Sequence, residues 1–88
     1  MKITDLKIAS TLDCSWHLCP VPILMTEEKM AGMPPGEVLE VVFTDPGAKP
    51  DLMAWCRASG NEFLACRNEG TKNKAYIKKA EANLKLKT

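Results

Sequence analysis

Along the chain the spacing of apolar and polar positions switches between a period of two and a period near 3.6, and the switches mark out six elements. Lys7-Ile8-Ala9-Ser10-Thr11-Leu12 is short, partly β-branched and weakly alternating, which predicts a first strand running into a loop at 13–18. A helix follows. Cys19 is its expected N-cap and Pro20 its first residue, where a fixed φ suits the helix and the missing N–H is not needed. It should reach about Ala31, with Gly32 as C-cap and Pro34-Pro35-Gly36 blocking continuation. Ile23, Leu24, Met30 and Ala31 share an apolar arc, but Glu27 falls inside it, so the register of this helix stays open.

Val38–Phe43 is the strongest strand pattern. Leu39, Val41 and Phe43 lie on the face expected to meet the helices, and Val38, Glu40 and Val42 lie on the other. Thr44-Asp45-Pro46-Gly47 ends the strand, and Asp45 signals the N-cap of a second helix reaching about Ser59, with Pro50 admissible only in its first turn. Leu52, Met53, Trp55, Cys56 and Ser59 form its stripe, Arg57 lies opposite, and Gly60 stops it. Residues 62–67 and 74–79 then form a hairpin joined by Asn68-Glu69-Gly70-Thr71, with Leu64 and Cys66 on one face of the first strand and Ala75 and Ile77 on one face of the second. The order strand, helix, strand, helix, strand, strand predicts an α/β (α+β) two-layer sandwich, with two helices packed on one face of a mixed four-stranded sheet. Residues 1–81 are expected to form its single domain and 82–88 a polar tail.

At 88 residues, 45% of them hydrophobic and 26% charged, the chain has room for one modest core and no deep pocket, so its chemistry is expected near the surface. A formal net charge of +1 gives no bulk reason to expect a nucleic-acid partner. Lys72, Lys74, Lys78, Lys79, Lys85 and Lys87 gather in the last third, either as a solvated strand edge and tail or as a basic docking surface for an acidic protein. No apolar run has membrane-spanning length, and Met1-Lys2-Ile3-Thr4-Asp5 lacks the apolar core of a signal peptide. A cytoplasmic protein with no membrane partner is expected. Four cysteines there imply reduced thiols. With no Cys-x2-Cys spacing, and His17 the only histidine, no metal site of familiar spacing is expected. Cys56, on a helix stripe, and Cys66, on an inner strand face, fit as small core residues.

Chemistry concentrates at Cys19-Pro20-Val21-Pro22. A thiol at a helix start sits where unpaired N–H groups and the positive end of the helix dipole favour the thiolate. Pro20 and Pro22 remove two of those donors and leave Val21 and Ile23 as the main ones, so the prolines act more as a stiff platform that fixes the direction of the sulfur. From spacing alone Cys19 is either a nucleophile or an inert N-cap.

Leu12-Asp13-x5-Cys19-Pro20-x-Pro22-Ile23-Leu24, followed by Gly36-Glu37-x-Leu39, Thr44-Asp45-Pro46-Gly47-Ala48, Asp51 and Gly60-Asn61-Glu62, resembles the TusA (SirA-like) sulfur-carrier family over nearly the whole chain. The resemblance implies that Cys19 accepts sulfane sulfur as a persulfide from a donor such as a cysteine desulfurase or rhodanese and passes it to an acceptor protein. This is a sulfurtransferase activity shared with its partners, with no cofactor beyond the covalent persulfide. It also makes Asp13 a family position, expected to brace the loop through backbone N–H groups.

The chain departs from the family at Trp16 and His17, where glycine and leucine are usual. Trp16 cannot take a glycine-only conformation cheaply, so the turn either differs or carries strain. Its ring is either a buried staple under the loop or an exposed aromatic for partner recognition. His17 is either a solvated loop residue or a proton relay for the thiolate. Cys14 is either core filler or a resolving thiol. The second role leads to the alternative function, a redox-responsive binding or regulatory module switching between a Cys14–Cys19 dithiol and disulfide.

Overall fold

The chain runs β1 (Ile8–Cys14), α1 (Val21–Ala31), β2 (Val38–Phe43), α2 (Ala48–Ser59), β3 (Glu62–Glu69) and β4 (Lys72–Lys78) in a computed structural model that describes residues 8–18 and 21–80. Lys7, Cys19, Pro20 and the expected tail lie outside the described residues. The strand order is β1-β2-β4-β3, with β1 parallel to β2 and the other two pairs antiparallel. Leu39, Val41 and Phe43 face the helices as expected, each 0% exposed, and share one core with Met30 and Met33, with Ala48, Leu52 and Cys56 of α2, and with Ala75 and Ile77 of β4. The two-layer α+β sandwich of the sequence pattern is the architecture observed.

Several boundaries and faces differ from expectation. β1 extends through Asp13 and Cys14, which pair with Val42 and Phe43; once a neighbouring strand offers its backbone groups, pairing overrides weak strand propensity. The inward stripe of α1 is Pro22, Thr26 and Met30, whereas Leu24 and Ala31 are exposed. Hydrophobicity alone misses this register because Thr26 is fully buried, its hydroxyl satisfied by the Pro22 carbonyl at 2.7 Å.

Gly32 is not the left-handed cap of α1. The N–H groups of Gly32 and Met33 fold back to the carbonyls of Lys29 and Met30, and the left-handed glycine comes later, at Gly36 (φ 89°). The end of α1 is instead capped from across the fold. Lys79, immediately after β4, donates from Nζ to the carbonyls of Met30 at 2.5 Å and Met33 at 3.2 Å, a cation at the negative end of the helix. Its backbone is tied to the same corner, through Glu37 at 2.8 Å and Gly36 at 3.0 Å.

α2 begins at Ala48 with Gly47 at the cap position and no side-chain cap. Asp45 lies two residues earlier and accepts from the Gly47 N–H at 3.3 Å, closing a turn before the helix and leaving the cap itself to backbone. Pro50 falls in the first turn. Ala48, Leu52 and Cys56 are buried, while Met53 and Ser59 of the expected stripe are exposed. Gly60, at φ 84°, ends the helix by donating to the Cys56 carbonyl at 2.9 Å.

In the hairpin, longer strands reduce the expected four-residue loop to Gly70-Thr71, with Gly70 at φ 70°. A register shift between Phe63 and Ala65 brings Phe63 and Cys66 against the core, while Leu64 stands outside the core cluster, reversing the face expected for it. On the far face of the sheet the Glu40 carboxylate accepts from the Thr11 hydroxyl and the Tyr76 phenol, both at 2.9 Å, linking β1, β2 and β4.

Replacing Lys79 by Met keeps the aliphatic stem and removes the cation. It is expected to lower the free energy of unfolding by about 1–2 kcal/mol, read from urea denaturation. An unchanged midpoint would show that water serves the α1 carbonyls equally well.

Candidate functional site

β1 and β2 end side by side, with Cys14 opposite Phe43, and this register sets the loop that leads to the cysteine-proline motif. Asp13 accepts the Ser15 N–H at 2.9 Å, the Cys14 carbonyl accepts the His17 N–H at 3.2 Å, and the Trp16 N–H donates to the Thr44 hydroxyl at 2.8 Å. Thr44 was given no role of its own from sequence. It follows the last residue of β2 and reaches Trp16 only because the two strands end in register.

Trp16 takes φ 67°, the one positive value among the described non-glycine residues. It stands third in the turn that starts at Cys14, the position where some turn types demand glycine. For a bulky residue this conformation costs on the order of 1 kcal/mol. The strained turn is therefore the alternative that holds. The buried staple is not, because the Trp16 side chain is 73% exposed. Cys14 and Phe43, paired at the ends of β1 and β2 where the loop begins, are both fully buried. His17 is exposed in the same loop.

Cys19 and Pro20 lie outside the described residues, between Leu18 and Val21. The Val21 N–H, expected to be a donor toward the thiolate, is committed to the Leu18 carbonyl at 2.8 Å, and Pro22 has none to offer. α1 therefore offers less N–H stabilisation at its start than an ordinary helix. Its contribution is rigidity: the Pro22 ring is buried in the core and fixes the first turn. Around that turn Leu18 is 72% exposed, Leu24 57% and Val21 37%. With Trp16, they make four of the six exposed large hydrophobics among the described residues, concentrated at 16–24.

The other three cysteines face inward. Cys14 is fully buried, and burial, with the Asp13 charge beside it, pushes its pKa up to about 11. Burial alone pushes Cys56 up to about 11. Burial also raises Cys66, against a smaller opposing effect of Lys49. These groups remain protonated at neutral pH and are poor nucleophiles. Cys14 is the last residue of β1 and the one fully buried residue of that strand. Of the basic residues in the last third, Lys79 caps α1 and Lys74 pairs with Glu69 at 3.1 Å, whereas Lys85 and Lys87 lie outside the described residues.

At about pH 8, alkylation of Cys14 and Cys56 in the folded protein is expected to run at least roughly 100-fold slower than in the urea-unfolded chain, from thiolate population alone. Peptide mass spectrometry reads both sites. Because the folded pKa values exceed the unfolded value of 9.0, stability should hold up to about pH 9 and fall as pH rises toward 11, where only the unfolded chain releases these protons. Equal labelling in both states would contradict the burial argument.

Comparison with known proteins agrees with this architecture. The family model for sulfurtransferase TusA matches residues 10–79. The sulfur carrier protein TusA of Allochromatium vinosum is 41% identical over 69 residues, 78% of this chain and 91% of that one. A protein of Aquifex aeolicus designated a sulfur carrier is 46% identical over 76 residues, 86% of this chain, which spans only 39% of the Aquifex protein's length. In fold, the crystal structure of a SirA-like protein from Desulfitobacterium hafniense matches with a TM-score of 0.68 at 20% identity, covering 82% of this chain and 99% of that one. The chain belongs to the sulfurtransferase TusA family.

Proposed function

We propose that the chain is a sulfur carrier that holds sulfane sulfur on Cys19 as a persulfide. The observation that carries this reading is the division among the thiols. Cys14, Cys56 and Cys66 are turned toward the core with raised pKa values, whereas the described neighbours of the Cys19-Pro20 pair, Leu18 and Val21, are exposed.

In loading, the Cys19 thiolate attacks the outer sulfur of a persulfide on the donor's cysteine. The donor's S–S bond breaks, its cysteine leaves as a thiolate, and the proton on the transferred sulfur stays with it. Unloading is the same exchange, with the acceptor's thiolate as attacker and Cys19 as leaving group. The electron count is unchanged overall, and neither cofactor nor metal is needed. Asp13 holds the approach loop, and Pro20 and Pro22 fix the helix start, which suits a sulfur that must meet another protein's sulfur at a set angle. The inward placement of Cys14 gives no support to the dithiol switch.

The donor belongs to the cysteine desulfurase or rhodanese class, and the exchange fits a reducing, cytoplasmic setting. Among the described residues no helix is long and apolar enough to cross a membrane. Incubating the reduced chain with a cysteine desulfurase and cysteine is expected to add the mass of one sulfur atom, removed by reductant and absent in Cys19→Ser. Addition that persists in Cys19→Ser, or no addition to the wild type, would overturn the proposal.

A further inference from the structure

Trp16 bears two costs at once, a left-handed backbone (φ 67°) and a large apolar ring left 73% in water. Glycine would remove both. The loop around it is nevertheless held firmly, by the Thr44 hydroxyl on the Trp16 N–H at 2.8 Å and by the neighbouring bonds of Ser15 to Asp13 and His17 to Cys14. An aromatic side chain presented from a fixed backbone loses little freedom when a partner covers it, which is the property of an interface anchor. The surrounding sequence has matching chemistry. Residues 14–26 contain no Asp, Glu, Lys or Arg, in a chain of which 26% is charged. Leu18, Val21 and Leu24, which flank Cys19 in the sequence, are exposed as well.

Given the carrier reading of Cys19, on which this inference rests, a donor's persulfide must come within bond-forming reach of a residue three positions from Trp16. The donor surface around that persulfide therefore covers this stretch. We propose that Trp16, with Leu18 beside it, is the anchor by which the carrier docks a persulfide-bearing donor protein, through an apolar contact made without ion pairs. Trp16 touches the donor's surface and not the reacting sulfurs, so it sets affinity for the donor and leaves the exchange itself to Cys19.

The test compares wild type, Trp16→Gly and Trp16→Phe in sulfur loading from a cysteine desulfurase and from inorganic polysulfide, which loads the thiol without a protein contact. Trp16→Gly is expected to raise the KM for the carrier in the desulfurase reaction by about 30-fold, as truncating an aromatic anchor does. Its loading by polysulfide should match wild type, and its thermal midpoint should hold or rise, because glycine suits the left-handed turn. Trp16→Phe should recover most of the lost affinity, and the wild-type KM should change little with salt. A purely structural role would instead lower the thermal midpoint and slow both loading reactions together. An unchanged KM in Trp16→Gly, a parallel fall in polysulfide loading, or a KM that climbs steeply with salt would overturn the inference. A wild-type chain that takes up no sulfur from either source would overturn the carrier reading itself, an outcome distinct from normal loading with an unchanged KM in Trp16→Gly.

Discussion

The pairing of β2 with β1 is the constraint on which the rest of the molecule depends. β2 lies inside the sheet, its Leu39, Val41 and Phe43 fully buried against both helices, and its register with β1 places Cys14 opposite Phe43. From that pair outward the geometry is determined. The two strands end together, and Thr44 comes within hydrogen-bonding distance of Trp16. A slip of one residue in this register would turn the apolar set of β1 away from the core and break the Trp16–Thr44 bond in the same step.

The order of elements and the extent of β2 were legible because period-two alternation is a local signal and glycine at position 60 is a local stop. The α1 register was not legible, because Thr26 becomes a core residue only through a hydrogen bond to Pro22 that composition cannot reveal. Leu64 was assigned to the wrong face for a related reason, since a register shift in β3 upsets strict alternation. Lys79 illustrates a third limit. As a sequence feature it belonged to a basic run, but its role depends on the fold bringing the end of β4 to the end of α1.

At the candidate site, sequence singled out Cys19-Pro20-Val21-Pro22 and marked Trp16 as a residue whose backbone would be strained. It could not choose between a buried and an exposed ring, because that choice depends on whether other groups already fill the region below. In the fold the ring stands 73% exposed. The three inward thiols were only partly separable from Cys19 by pattern. Cys56 and Cys66 sat on apolar faces, whereas Cys14 became recognisable as core only once β1 was seen to extend to it.

The lysine clamp on α1 has a consequence for delivery. One end of the helix is anchored through the buried Pro22, the other through Lys79 across the fold, so α1 is a post secured at both ends. Under the carrier reading proposed above, α1 is a fixed post and not a swinging arm. With sulfur held at the start of this helix, as proposed, the giver and the taker would have to occupy the same small area in turn. Their competition for that area would then enforce the order of the relay.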